Sequence, residues 1–195
     1  MITNKDREII NFIDEMGYAT IYHIGRAFYN HSDYKYDLAR KKLKKISKEG
    51  DYIKSFRNTE TNQLVYIPSD SNMRKVSKHD ILMIDYVAHL IELGVKLETV
   101  EIEKNFGGVI PDLFVKFTFN GTRYCQLVEV QLRHDFVDVN RFKDKMQNIL
   151  KETNDYAPDL VIIQDTRKDY DKINETCMKI IRLDTNLSDL PKVLI

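Results

Sequence analysis

Two carboxylates set among apolar residues are the side chains best placed to do chemistry. Asp112 lies in the run Val109-Ile110-Pro111-Asp112-Leu113-Phe114, and Glu129 in Cys125-Gln126-Leu127-Val128-Glu129-Val130-Gln131, with Asn120-Gly121 between them. Asn-Gly is a strong hairpin signal, because a type I′ turn needs φ > 0 at both central residues and these two tolerate it. With Asn120 and Gly121 as the turn, Phe119 faces Thr122, and counting outward sets Asp112 directly across from Glu129. Opposed residues on one face hold their Cβ atoms roughly 4.5–5.5 Å apart, where like charges repel. The pair therefore needs a compensating group: a hard divalent cation such as Mg²⁺ or Mn²⁺, a shared proton, or a nearby Lys.

Pro-Asp, an intervening strand and turn, then Glu-x-Gln closing the next strand resembles the PD-(D/E)xK nuclease superfamily over about residues 78 to 165. The resemblance implies that Asp112 and Glu129 are metal-binding acids, that the Val130 backbone lends a carbonyl, and that Gln131 occupies the place usually held by Lys. Asp112, Glu129 and Gln131 are then the candidate catalytic residues. Gln131 departs from the family pattern, since an amide can orient water but cannot neutralise charge developing on phosphate. In the superfamily an acid from the helix preceding the sheet often adds a third ligand, which points to Glu92. Glu101, in the first strand, is another candidate, and both also read as surface residues. His79 and His89 are candidates for general base or phosphate contact, set against surface roles on a helix. Arg133, His134 and Asp135 follow shortly after Gln131 and are candidate phosphate contacts. The plain alternative has Asp112 capping a turn, Glu129 pairing with Lys116 or an Arg, and the fold kept without catalysis.

The elements expected to position these residues run in a clear order. Ser77 caps a helix with Asp80 three positions on, burying Ile81, Ile84, Ala88 and Ile91 and stopping at Gly94. Strands are predicted at about Leu97–Ile102, Ile110–Phe119 and Arg123–Leu132. Asp138 then caps an amphipathic helix through Phe142, Met146 and Ile149, and Leu160–Ile163 reads as a buried strand in the sheet centre. A helix around Tyr170–Met178 and a strand near Ile180–Leu183 follow. Helix, three strands, helix, strand is also the core order of the nuclease superfamily, so the resemblance extends to topology.

The amino-terminal part has a different character. Thr3 with Asp6, Thr20 and Ser32 cap three successive helices, the first carrying Ile9, Ile10, Ile13 and Met16 and ending at Gly17. The third runs to about Glu49, with Tyr36, Ala39, Leu43 and Ile46 inward and Lys35, Arg40, Lys41, Lys42, Lys44, Lys45 and Lys48 on the remaining face. Strands at Tyr52–Phe56 and Leu64–Ile67 follow. Three helices and a hairpin in this order resemble a winged helix-turn-helix, whose third helix enters the major groove and whose wing lies along the backbone. On that resemblance Lys35, Arg40, Lys41, Lys44, Lys45, Lys48 and Arg57 are the DNA-binding residues, with Ser32 to Tyr36 nearest the base edges. A Lys-rich helical face is otherwise simply a solvated one.

The expected fold class is therefore α+β and α/β: an amino-terminal winged helix-turn-helix followed by a PD-(D/E)xK, restriction-endonuclease-like mixed-sheet domain. The expected domains are 1–68 and 78–195, with 69–77 as linker through Pro68-Ser69-Asp70-Ser71-Asn72. A chain of 195 residues can bury a core without disulfide or metal staples. No apolar run approaches a membrane span and the amino terminus lacks a signal-peptide layout, so the expectation is a cytoplasmic protein without membrane partners. Cys125 and Cys177 have no Cys-x-x-Cys spacing and are expected to be buried, reduced thiols. The net charge of zero hides an asymmetry: 15 Lys and Arg against 10 Asp and Glu through Lys78, and 15 against 20 beyond it. A basic amino-terminal part fits nucleic-acid contact.

The arrangement from Asp6 to Gln131 is also similar to the replication-relaxation family of plasmids and integrative elements. That resemblance implies a double-stranded DNA-binding protein of a bacterial mobile element or phage, acting in replication, relaxation or transfer as a homodimer, with a nuclease-like second domain of weak or absent cleavage. One alternative is an active Mg²⁺-dependent endonuclease, with Gln131 or His134 positioning the attacking water. Another is a transcriptional repressor whose second domain dimerises or senses an effector.

Overall fold

In the computed structural model, residues 2–132, 137–154, 156–165 and 178–195 are described. The chain divides into two compact units, Met1–Leu93 and Gly94–Ile195.

The first unit contains α1 (Asn4–Met16), β1 (Ala19–Thr20), α2 (Ile21–Tyr29), α3 (Lys35–Glu49), β2 (Ile53–Arg57), β3 (Leu64–Pro68) and α4 (Lys78–Glu92). Local chemistry sets the helix starts. Thr3 and Asp6 form a reciprocal capping box, as do Ser77 and Asp80, and Thr20 does so with His23 in the position where Glu or Gln is usual. Gly17 takes the left-handed conformation that ends α1. The third helix starts later than the sequence suggests, because Ser32 closes a local turn: its Oγ accepts from the Tyr34 N–H at 3.2 Å, and α3 begins at Lys35. The three strands form a sheet in the order β1-β3-β2, all antiparallel, with Ala19 opposite Tyr66 and Phe56 opposite Val65.

Two features of this unit differ from the expected domain division. Asn58 is fully buried at the root of the β2–β3 loop, and its Nδ2 donates to Thr61 Oγ1 and to the Val76 carbonyl at 2.7 Å. The 69–77 segment is thereby pinned at its end. The helix α4, expected to open the second domain, belongs by its contacts to the first unit, where it packs on α2. It buries Ile81, Leu82, Met83, Ile84, Tyr86, Val87, Ala88 and Leu90, most of its circumference rather than one stripe, while Ile91 is half-buried.

The second unit is built on a mixed five-stranded sheet in the order β4-β5-β6-β7-β8, comprising β4 (Lys96–Ile102), β5 (Leu113–Phe119), β6 (Thr122–Gln131), β7 (Asp159–Gln164) and β8 (Ile180–Asp184). The hairpin turn is as the sequence indicates: Asn120 and Gly121 both have positive φ, and Phe119 pairs with Thr122. From β6 onward the pairing becomes parallel. The predicted strand at 160–163 lies inside the sheet between β6 and β8, and β6 holds the centre. The helix expected from Asp138 is two short ones, α5 (Asn140–Asp144) and α6 (Met146–Glu152), parted at Lys145. Phe142 and Ile149 from these helices join Phe106, Phe114, Cys125, Leu127, Leu160 and Ile162 in one buried cluster. At about 25 cal/mol per Å² of apolar surface, this shared burial is what holds α5 against the sheet. Cys125 is a free thiol whose ionisation burial pushes up to about 11, which makes it an inert packing residue. A 3₁₀ turn, Leu190–Leu194, closes on the sheet through Tyr124 Oη and Gln126 Nε2, which donate to the Leu194 and Val193 carbonyls.

No helix among the described residues is long and apolar enough to cross a membrane. The expected helix at Tyr170–Met178, Cys177, and the Arg133, His134, Asp135 trio fall outside the described residues, save Met178.

Candidate functional site

The acid pair is set by the hairpin. The β5–β6 ladder ends at Leu113 facing Val128, and Asp112 and Glu129 are the next residues along the two chains beyond that last pair. Asp112 precedes β5, so its carboxylate substitutes for a strand carbonyl: Oδ2 accepts the Val130 N–H at 2.7 Å. Glu129, in the middle of the sheet, is only 7 % exposed. A buried carboxylate demands a partner. Arg141, in the first turn of α5, supplies it, with Nη2 2.5 Å from Glu129 Oε1. Its guanidinium carbon also lies 4.9 Å from the Phe142 ring centroid, a cation–π distance. Parallel pairing places Gln131 beside Gln164, which is buried, so two neutral amides sit side by side at this end of β6 and β7.

The remaining acids expected to join the pair have other partners. Glu92 is held by Arg26 and Lys35, all within the first unit. Burial alone would raise its ionisation, but the two cations outweigh that and keep it below the usual carboxylate range. Glu101 pairs with Lys104 at 2.9 Å. Lys116, the other expected partner of Glu129, lies over the Phe114 ring at 5.3 Å. His79 neighbours Asp80 on α4, and His89 donates from Nδ1 to the Asp85 carbonyl at 2.7 Å, so both belong to the helix surface and its packing.

These contacts bear on whether a divalent metal fits. Glu129 already faces a guanidinium, Asp112 accepts a backbone N–H, and Glu92 is neutralised by two cations. Among the described residues no group of three or more His, Cys, Asp or Glu side chains is arranged to hold a metal ion. Asp112 and Glu129 are thus each engaged by groups of this chain, the Val130 N–H and Arg141.

A second concentration of charge lies on α3, where packing sorts the basic residues into two groups. Lys42 turns inward toward Asp6, whose side chain is fully buried, with Nζ 2.7 Å from Oδ1, while the more exposed Lys45 stands between Asp6, 3.8 Å from Oδ2, and Glu49, 3.7 Å from Oε2. Burial works to raise the Asp6 carboxyl, but Lys42 and the Thr3 hydrogen bonds prevail and hold it well below the usual range. Lys35 is committed to Glu92, and Arg57 donates to the Asn62 carbonyl at 2.9 Å, bracing the β2–β3 loop. Lys41, Lys44 and Lys48 are exposed on one stripe of α3, beside Arg40, which pairs across one turn with the exposed Asp37. Lys5, Tyr29, Leu38, Lys41, Lys42 and Lys45 line a hollow of about 460 Å³ between α1, α2 and α3.

Comparison with family models, curated proteins and solved structures gives no match. The two family resemblances rest on residues and element order.

Four of the residues that matter most here escape a sequence reading. Asp6 reads as a capping residue and is also an ion-pair centre, while Arg141 and Gln164 become visible only through tertiary pairing. His23 is the fourth: fully buried, it accepts the Thr20 N–H at Nδ1 and lies 3.1 Å from Asp85 through Nε2, tying α2 to α4. A faint signal for Gln164 existed, since aligning the run 159–164 in parallel with β6 sets it across from Gln131.

Proposed function

We propose that this chain is a double-stranded DNA-binding protein of a bacterial plasmid, integrative element or phage, acting in DNA replication, relaxation or transfer, with a nuclease-like second unit that does not cleave. The observation that carries the reading is the combination of α1-β1-α2-α3-β2-β3, its sheet order β1-β3-β2, and the exposed Lys41, Lys44 and Lys48 stripe on α3. That order is the one a winged helix-turn-helix uses to present its third helix to a major groove. The lysine stripe would meet phosphates, and the exposed Tyr34, Asp37 and Leu38 of the helix start would lie nearest the bases. The β2–β3 loop is a modest contributor in this reading, because Arg57 is engaged internally and Glu60 offsets charge there by pairing with Lys75.

For the second unit, the strand order and the Asp112–Glu129 register support a nuclease-like fold, and the Arg141–Glu129 pair supports its acting without hydrolysis. Binding of the intact protein to DNA flanking its own coding sequence, measured by fluorescence anisotropy over a salt series, tests the first part. Incubation of supercoiled plasmid carrying that DNA with Mg²⁺ or Mn²⁺ tests the second. Salt-insensitive or absent DNA binding would overturn the reading, and nicking lost in Asp112→Ala and Glu129→Ala would replace it with the endonuclease.

A further inference from the structure

At the turn end of the β5–β6 hairpin, away from Asp112 and Glu129, the second unit carries a hollow of about 350 Å³ whose lining includes Glu98, Lys116, Arg123, Cys125, Asn154 and Tyr156. Its origin lies in how far the helices reach. Phe142 and Ile149 cover the sheet over Phe114 and Leu127, and α6 stops at Glu152. Lys116 stands directly across from Cys125, and strand alternation sets Arg123 on the same face, nearer the turn. The connection from α6 to β7 brings Asn154 and the half-exposed Tyr156 over them as a second wall. The volume is at the lower end of the range of about 300–1,000 Å³ usual for small-molecule clefts.

The charges in this hollow are unequal. Glu98 accepts the Thr118 hydroxyl and lies 3.7 Å from Arg123 Nε, so its charge is offset within the wall. Lys116 is half-buried, lies over the Phe114 ring at 5.3 Å, and has no carboxylate partner among the described residues. A partly desolvated cation without a counter-ion favours an anion beside it. Around that charge stand neutral groups: the buried Cys125 as floor, the Asn154 amide, and the Tyr156 ring with its hydroxyl. One uncompensated positive charge beside an apolar floor and a ring complements a flat monoanion. A phosphate monoester, with a charge of about −1.5 to −2 at neutral pH, would meet a single free cation and the Glu98 carboxylate.

We propose that this hollow binds a small aromatic carboxylate, with its carboxylate on Lys116 and its ring against Cys125 and Tyr156. The assignment goes beyond the DNA-binding and nuclease-like readings and depends on neither. Amide shifts of the isotope-labelled full chain, followed by NMR, test it during titration with 4-hydroxybenzoate. 4-Hydroxybenzamide serves as the neutral twin, and acetate and inorganic phosphate as anions without a ring. 4-Hydroxybenzoate should bind with a Kd on the order of 1 mM or below, shifting the amides of Lys116, Cys125 and Tyr156. The amide and the ringless anions should bind at least about tenfold more weakly, and Lys116→Gln should lose a similar factor. Lys54→Gln, an exposed change of the same charge in the first unit, should bind as the native chain does. Tyr156→Ala should also weaken binding, and it keeps the test open if Lys116→Gln fails to fold. Equal affinity for acid and amide, shifts confined to other parts of the chain, or native affinity in Tyr156→Ala or in a folded Lys116→Gln would overturn the proposal. Tighter binding of phosphate than of 4-hydroxybenzoate would overturn it too, in favour of a phosphate ester.

Discussion

Asp6 and Lys42 are joined at 2.7 Å across α1 and α3, with the Asp6 carboxylate sealed from solvent. The same carboxylate accepts the Thr3 N–H at 2.8 Å, so a single group both starts α1 and ties it to the basic helix. Removing one member of such a pair leaves the other charge without compensation, and the cap is lost at the same time. Asp6→Ala should cost about 3 kcal/mol of unfolding free energy. The folded-state ionisation lies below the unfolded one, so this stabilisation is present above the ordinary carboxylate pKa of 3.8 and drains away as pH falls below it. Urea unfolding of the native protein and Asp6→Asn between pH 6 and pH 3 measures this, and the gap between them should narrow toward acid.

Because Asp6 claims Lys42, the lysines of α3 should divide in function. Lys41→Ala, Lys44→Ala and Lys48→Ala should each weaken DNA binding without loss of stability, and each should reduce the salt dependence, the slope of log K against log salt, by about 1. Lys42→Ala should chiefly lower stability. Anisotropy titrations paired with thermal melts distinguish the two classes, and uniform behaviour across the four lysines would argue against α3 as the contact face.

The helix starts and the hairpin register are legible because their signals are local: Thr3 with Asp6, Ser77 with Asp80, and Asn120-Gly121 each fix geometry within a few residues. Ser32 shows the limit of that logic, since one hydroxyl can serve a turn or a cap and the sequence does not rank them. The lysine pattern shows another. Periodicity finds the polar side of α3, but which lysines face Asp6 depends on how α1 crosses α3. The position of Arg141 depends on the parallel β6–β7 crossover and on Phe142 packing, both non-local, so the neutralisation of Glu129 could be stated only as an unnamed Arg.

The α2–α3 contact depends on the absence of a side chain at Gly25. A Cβ there would lie 2.6 Å from Tyr36 Cδ1, closer than packed atoms tolerate, with the Lys35 carbonyl at 3.4 Å. Gly25→Ala gains helix propensity but forces Tyr36 out of its edge contact with Tyr22, so the net effect should be a loss of roughly 1–3 kcal/mol. Tyr36→Ala in the Gly25→Ala background should recover part of the steric cost. A Gly25→Ala protein that melts at or above the native temperature would show that α3 shifts freely on α2.

His89 provides a pH dependence in a separate window from Asp6. Burial disfavours its charged form and Arg26 adds to this, while the hydrogen bond to the Asp85 carbonyl and the Asp85 and Glu92 charges oppose it, and the balance leaves its pKa below the ordinary 6.5. A histidine with a depressed folded pKa binds its proton more readily when unfolded. Its contribution to stability is therefore complete above pH 6.5 and is lost as pH falls from there through the folded value. The native protein should lose stability between pH 7 and pH 5, where Asp6 is still ionised in both states, and His89→Asn should show a flatter dependence over that range. Denaturant midpoints at half-unit pH steps decide it: parallel curves for the two proteins would mean that the half-buried imidazole is protonated without cost to the fold.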